Sequence, residues 1–228
     1  MPRTSHESPT WSNPQLSLCG FALRGVEPPR AVVCDTQVHG AESHRVYRSP
    51  GARWPENPEA GDALWTSDPD LPVAVRVADC VPILLWSPEP RAVGAVHAGW
   101  RGTAADIVGA SLAFARRELG VEPSRVFAAI GPCISRDRFE VGPEVVQGLK
   151  ATGLTDEDLR VVLGPRGRPH VDLRSANRAL LRQAGVPDAQ IEDVGGCTFS
   201  EPTRYDSYRR DGERSGRMRA TIALAARP

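Results

Sequence analysis

The chain has 228 residues, of which 40% are hydrophobic and 25% are charged, and its formal net charge is zero. A chain of this size buries enough apolar surface to fold without disulfides or a metal. The neutral charge balance argues against nucleic acid or an anionic membrane as a partner, and no apolar run approaches the ~20 residues of a membrane span.

The elements predicted in chain order begin with a variable arm over residues 1–16, rich in Ser, Pro and Thr, followed by one domain over residues 17–228. Aliphatic runs predict strands at 31–38, 73–77, 81–86, 91–97, 126–130, 191–194 and 219–225. A Pro- and Gly-rich loop is predicted at 48–62, after the first strand. Helical periodicity predicts three helices, at 104–119 with Thr103 as N-cap, at 143–150 and at 174–184.

Strands and helices alternate, but short loops join several neighbouring strands. This pattern favours an α/β domain with a mixed sheet over a doubly wound nucleotide fold. The sequence contains neither GxGxxG nor GxxxxGK[ST], so dinucleotide and P-loop sites have no motif to support them. The five cysteines are scattered without a CxxC pair, and the polar start of the chain has no signal core, which predicts free thiols and a cytoplasmic location.

Three segments place a reactive side chain where an apolar strand meets a turn of small residues, the usual position of sites in α/β folds. They are QVHG with His39, ADCVP with Cys80, and HAGWRGT with His97. The separations of 41 and 17 residues fit no local zinc template. From spacing alone, a Cys–His hydrolase dyad and a His/Cys/His metal site are equally good interpretations.

Several blocks in order carry a resemblance to a known family. QVHG, GDALWT, ADCVPILL, AVHAGWRGT and GPCIS, followed by VDL, CT, SYRRD and GRM, resemble the YfiH/YlmD-type family, also called the laccase-domain or polyphenol-oxidase-like family. The resemblance extends over about residues 31–225. Only 36 residues precede Gln37, fewer than the family usually carries there.

The resemblance implies a single layered α/β domain with mixed β-sheets packed between helices. It also implies a zinc site, with copper in some members, whose ligands are His39, Cys80 and His97. Two imidazoles and a thiolate leave a tetrahedral zinc with one open position for water or substrate. The family's activities are phosphorolysis of purine nucleosides, including adenosine, inosine and methylthioadenosine, and deamination of adenosine.

Five further residues are candidates for a role in such a site. Arg101 follows His97 by four residues near the predicted helix start, and is expected to act in catalysis by binding phosphate. Asp79 either orients a ligand histidine or caps a turn. The basic run of Arg209, Arg210 and Arg217 near the end of the chain either contacts substrate or forms a solvated, ion-paired face.

We therefore expect a monomeric, zinc-dependent purine nucleoside phosphorylase with adenosine deaminase activity, whose partners are purine nucleosides and phosphate. A laccase-type copper oxidoreductase is the first alternative, but five histidines are too few for four coppers. The second is a hydrolase with Cys80 as nucleophile and His97 or His39 as base. The third is a non-catalytic protein whose zinc, closed by a fourth protein ligand, only stabilises the fold.

Overall fold

The computed structural model describes residues 6–11, 14–26, 33–34, 36–48 and 60–226. A six-stranded sheet lies at the centre of this part of the chain. With strands numbered along the chain, its order is β12 (Ile191–Asp193), β9 (Phe127–Ile130), β7 (Val81–Pro88), β8 (Arg91–Ala98), β5 (Ala63–Thr66) and β4 (Ser43–Arg45). The outermost pair at each edge is parallel and the three inner pairs are antiparallel, so the sheet is mixed.

A second, five-stranded sheet packs against the first. Its order is β1 (His6–Glu7), β2 (Leu16–Ala22), β13 (Met218–Leu224), β6 (Val73–Val77) and β3 (Val33–Cys34). The β3–β6 pair is parallel and the other pairs are antiparallel. A short hairpin of β10 (Val162–Leu163) and β11 (Pro169–His170) stands apart from both sheets.

Six α-helices occur in the described residues: α1 (Trp100–Ala104), α2 (Ile107–Leu119), α3 (Pro143–Lys150), α4 (Asp156–Leu159), α5 (Leu173–Gln183) and α6 (Tyr208–Asp211). The prediction of one helix over 104–119 capped by Thr103 is wrong in its first turns. The Thr103 hydroxyl donates instead to the carbonyl of Gly99 within α1. Asp106 has a left-handed backbone and caps α2 by accepting from the Gly109 N–H at 3.0 Å.

The layers follow from the alternation of side chains along the central strands. Ile83 and Leu85 face the core that α2, α3 and α5 cover, whereas Leu84 and Trp86 face the five-stranded sheet. All four are buried, and each contributes ~1.5–3 kcal/mol by leaving water. The α/β class with mixed sheets is confirmed. In the described residues the large helices cover one face of the central sheet and the second sheet covers the other.

The beginning of the chain differs from the predicted arm. β1 pairs with β2, and Trp11 stacks on Trp86 with ring centroids 5.8 Å apart, so part of residues 1–16 packs onto the sheets. β3 lies within the predicted strand 31–38, of which residues 31–32 and 35 are outside the described residues, as are residues 49–59 of the predicted loop. No helix in the described ranges has the length and apolarity to cross a membrane.

Candidate metal centre and its cavity

His39, Cys80 and His97 come together at one end of the six-stranded sheet. Their ligand atoms all lie within 4.8 Å of one another. Two zinc bonds of ~2.0–2.3 Å placed end to end reach about 4.6 Å, so small side-chain movements bring all three ligands onto one ion. His97 is buried, Cys80 is partly buried and His39 is exposed, which leaves one side of the cluster open.

The strand register explains why residues so far apart in sequence meet. β7 and β8 are antiparallel with Val81 opposite Ala98, so Cys80, just before β7, lies beside the end of β8 that carries His97. His39 comes from a separate loop, in which its backbone is left-handed with φ 62°. The Gln37 side chain holds that loop against β6, donating to the carbonyl and accepting from the N–H of Arg76, both at 2.8 Å.

Asp62 is the residue that joins the two histidines. Its carboxylate is fully buried and accepts a hydrogen bond from His97 Nδ1 at 2.7 Å. It also accepts from the backbone N–H groups of His39 at 3.1 Å and Gly40 at 2.7 Å. Burial alone would raise the pKa of Asp62, but the hydrogen bonds from His97 and from the N–H groups of Gly40 and Val38 lower it below the ordinary value. With Nδ1 committed to Asp62, Nε2 is the nitrogen of His97 that remains for a metal.

Gly99 allows the ligands to approach one another. A Cβ at this position would lie 2.9 Å from Cys80 Sγ and 3.1 Å from His39 Cδ2. Such contacts are shorter than van der Waals packing permits, so any side chain there would push Cys80 or His39 away. The glycine of the HAGW segment therefore has a steric role in the centre.

The protonation states of Cys80 and His97 are coupled. Burial alone would raise the pKa of the Cys80 thiol, but hydrogen bonds from His39 and His97 lower it to about 7. Burial alone would lower the pKa of His97, but its hydrogen bonds to Asp62 and Cys80 raise it to about 9. The pair thus favours a thiolate beside a protonated imidazole. A bound cation replaces that proton, because thiolate and neutral imidazole are the ligand forms.

A cavity of about 660 Å³ opens beside the three ligands. Its wall also carries two aromatic side chains, Phe139 and Tyr208, and three arginines, Arg76, Arg209 and Arg217. The volume lies within the range of ~300–1,000 Å³ typical of small-molecule pockets. The cavity therefore combines a metal-binding edge, apolar faces and positive charge.

Comparison with known proteins agrees with this geometry. A model of the family described as multi-copper polyphenol oxidoreductase laccase matches residues 21–225. The chain belongs to this family. The resemblance predicted from the sequence motifs is therefore confirmed.

Named relatives and solved structures place the chain within the family. A purine nucleoside phosphorylase of Deinococcus radiodurans is 42% identical over 191 residues, covering 84% of this chain and 69% of the relative. Adenosine deaminase RL5, from an unknown prokaryotic organism, is 43% identical over 159 residues, which cover 70% of this chain and 60% of that protein. The crystal structure of Bacillus licheniformis YfiH superposes with a TM-score of 0.80 at 29% identity, covering 93% of this chain and 97% of that one. The crystal structure of YlmD from Geobacillus stearothermophilus superposes with a TM-score of 0.77 at 36% identity, covering 85% of this chain and 73% of that one.

Asp79, the second carboxylate near the centre, does not contact a histidine within the described part of the chain. Its two oxygens accept from Thr198 Oγ1 and from the backbone N–H of Arg209, both at 2.6 Å. Its own carbonyl accepts from the Ile134 N–H at 3.0 Å. Asp79 therefore ties the segment of Cys80 to two later segments that line the cavity.

Arg101 lies on α1, exposed, with its guanidinium 4.5 Å from the centroid of the Trp100 ring. It is not among the residues that line the described cavity. The arginines of the basic run near the end of the chain have different surroundings. Arg210 pairs with Asp211 at 2.8 Å, whereas Arg209 and Arg217 lie on the cavity wall.

The role of Asp62 was not predicted from the sequence. The aspartate is the second residue of the GDALWT block, just before the fully buried strand β5. A carboxylate at the start of such a strand is a signal for a buried acceptor, because charged groups are buried only with partners. Its partner depends on β5 pairing with β8, with Ala63 opposite Val96, which puts Asp62 next to His97.

Proposed function

We propose that this chain is a zinc-dependent purine nucleoside phosphorylase that also deaminates adenosine, acting on adenosine, inosine and methylthioadenosine. The observation that carries the proposal is the convergence of His39, Cys80 and His97 at the edge of a cavity large enough for a nucleoside. Relatives that bear these two activities in their names support it. A cytoplasmic location and a monomeric state stay predictions from the sequence.

The donor set fits zinc. One thiolate and two imidazoles are ligands that zinc favours, and three protein ligands with an open side are typical of a catalytic centre. Zinc bound there would act as a Lewis acid toward water or substrate. Copper also accepts this donor set, so elemental analysis is needed to distinguish copper from the zinc proposed here.

The chain's own residues prepare the centre. Asp62 fixes the ring of His97 and the backbone of the His39 loop, so that the His97 imidazole is oriented and the His39 backbone is held in place before a metal arrives. Phe139 and Tyr208 supply aromatic faces in the cavity for a purine ring. The open side of the cluster toward His39 gives the reacting end of a nucleoside access to the ligands.

Two alternatives make different use of the same residues. In a Cys–His hydrolase, Cys80 would be the nucleophile, a role that its lowered thiol pKa of about 7 would suit. A laccase-type oxidase would need further copper ligands. His44 and His170 do not join the cluster in the described residues, and their ring nitrogens contact the carbonyls of Ala60 and Arg136.

Elemental analysis of the purified protein, combined with adenosine and inosine turnover with and without phosphate, tests the proposal. We expect one zinc per chain and phosphate-dependent release of the base. Cys80→Ala should lose the metal and at least a hundredfold of both activities, because both reactions use one centre. Cys19→Ala, a substitution in β2 outside the cavity lining, is the matched control and should keep both.

Other outcomes would point to the alternatives. Activity that survives chelation but is lost on alkylation of Cys80 would indicate a nucleophile. A Cys80→Ala protein that unfolds, together with a wild type that turns over neither nucleoside, would indicate a structural metal. Several coppers per chain with oxidation of phenols would indicate the laccase-type enzyme.

A further inference from the structure

Three arginines from distant parts of the sequence meet on the wall of the cavity that holds the candidate metal ligands. Arg76 lies on β6, Arg209 on α6, and Arg217 just before β13. All three residues are exposed. Binding of a metal ion by His39, Cys80 and His97 does not explain why three guanidinium groups lie on this wall.

The charges of these arginines are not neutralised by the protein. Among the described residues, none of the three has a carboxylate within salt-bridge distance, in contrast to Arg210, which pairs with Asp211 at 2.8 Å. The carboxylate on the cavity wall is that of Asp79. Both of its oxygens already accept short hydrogen bonds, from Thr198 and from the Arg209 N–H. The wall therefore carries an excess of positive charge that a bound anion would compensate.

Two of the guanidinium groups are held in place with donors to spare. Arg209 Nη1 donates to the carbonyl of Glu140 at 3.1 Å, and the group lies 5.3 Å from the centroid of Phe139. Arg217 Nη1 donates to the carbonyls of Ser215 and Gly216 at 3.0 and 2.9 Å. In the described part of the chain, Nε and Nη2 of both groups make no hydrogen bond. A planar fork with free donors matches the oxygens of a tetrahedral dianion.

We propose that Arg209 and Arg217, assisted by Arg76, bind the inorganic phosphate that takes part in nucleoside cleavage. The inference rests on the proposed function, since it names the subsite for the second substrate of phosphorolysis. There, a phosphate oxygen bonds to C1′ of the ribose as the C1′–N9 bond breaks. The purine leaves with the bonding electron pair and gains the proton that monohydrogen phosphate loses. The arginines hold the dianion in position for this exchange and neutralise its charge.

The assignment differs from the expectation that Arg101 binds phosphate, and one set of variants separates the two. The wild-type protein with its metal, Arg209→Ala, Arg217→Ala, Arg101→Ala and Arg125→Ala are compared. Arg125 is the matched control, since it is exposed, lies outside the cavity and has no carboxylate partner in the described residues. The binding of inorganic phosphate is measured by calorimetry, and the Michaelis constants for phosphate and inosine by steady-state kinetics.

For Arg209→Ala and Arg217→Ala we expect the dissociation and Michaelis constants for phosphate to rise about tenfold or more, as is typical when a charged hydrogen-bond donor is removed. The Michaelis constant for inosine should rise less, and Arg125→Ala should bind phosphate like the wild type. The conservative variants Arg209→Lys and Arg217→Lys should recover part of the affinity. They also provide the measurement if circular dichroism shows that an alanine variant fails to fold.

Unchanged phosphate binding in the Arg209 and Arg217 variants would overturn the inference while leaving the proposed function intact. So would a loss of phosphate affinity confined to Arg101→Ala. Binding of adenosine 5′-monophosphate that depends on Arg209 and Arg217, without binding of inorganic phosphate, would assign the site to a nucleotide and overturn it as well. Conversely, a wild type that binds phosphate through these arginines but cleaves no nucleoside would refute the proposed function and support the anion site.

Discussion

Two buried carboxylates flank the candidate metal centre, and they have different partners. Asp62 accepts from the His97 ring and from the N–H groups of the His39 loop. Asp79 adjoins Cys80 in the sequence, yet it accepts from Thr198 and from the Arg209 N–H. Asp62 is thus joined to the candidate metal ligands, and Asp79 to the segment of the cavity wall that carries Arg209.

The difference shows that proximity in sequence is a poor guide to which group orients a ligand. Asp79 is one residue from Cys80, but its backbone is left-handed with φ 95°, and its side chain bonds to Thr198 and Arg209. Asp62 is eighteen residues before Cys80 and reaches the centre through strand pairing. We therefore expect substitution of Asp62 to change metal affinity, and substitution of Asp79 to change stability and the cavity wall.

The largest effect should come from Asp62→Asn. The amide keeps the size of the carboxylate, but its NH₂ group cannot accept from the donors that now surround both oxygens. Because the asparagine oxygen can serve only one side, either the His97 ring or the N–H groups of the His39 loop lose their acceptor. One ligand histidine then loses its fixed position, and the metal affinity should fall about ten- to hundredfold. Competition between the protein and a chromophoric chelator measures this affinity. An Asp62→Asn protein that holds its metal as tightly as the wild type would contradict the role given to Asp62.

Asp79→Asn is the matched comparison and should have an intermediate effect. Asparagine tolerates the left-handed backbone, so the substitution changes the hydrogen bonds and not the conformational preference. Loss of one buried acceptor should cost ~1–3 kcal/mol, which for a chain of this size lowers the melting temperature by roughly 2–4 °C per kcal/mol. Metal affinity should stay within about threefold of the wild type, well below the ligand-orientation effect. Calorimetric melting and the chelator assay together test these two expectations. A loss of metal affinity as large as that of Asp62→Asn would contradict the claim that Asp62, and not Asp79, orients the ligands.

The contrast also shows what the sequence could predict. Strand β7 is buried in all but its last residue, and four of its first six residues are aliphatic, so the sequence could predict it. The candidate ligands His39, Cys80 and His97 stand near strand ends inside recognisable motifs, so the sequence could also predict that they come together. The role of Asp62 could not be found, because it depends on the register of β5 against β8, and no local pattern encodes that register.

Conformation at single residues accounts for other differences. The left-handed Asp106 ends one short helix and caps the next, and periodicity over 104–119 cannot reveal such a break. β1 consists of two residues, too few to show a strand period. The proposed anion site was only partly predictable. Arg209 and Arg217 stand close together in the sequence, but Arg76 joins them only when β6, α6 and the segment before β13 are packed.

A third carboxylate, that of Asp158, lies on the surface, and its substitution should have the smallest effect of the three. Its side chain accepts from the Thr155 N–H at 2.9 Å and hydroxyl at 2.7 Å, forming the capping box of α4. These hydrogen bonds lower the pKa of Asp158. A carboxylate whose pKa is lower in the folded chain stabilises it above the unfolded value near 3.8, and this contribution is lost as the pH falls through the folded pKa.

Asp158→Asn should therefore destabilise the protein at pH 7 by about 0.5–1 kcal/mol, the low end for a cap that solvent screens. The difference from the wild type should shrink as the pH falls below about 3.8, where the wild-type carboxylate itself becomes protonated. Denaturant unfolding at several pH values measures both quantities. Glu157→Gln, on the same helix and without a side-chain hydrogen bond in the described residues, controls for the loss of one negative charge. A stability difference that grows toward acid pH, or that Glu157→Gln reproduces, would show that the capping hydrogen bonds are not its source.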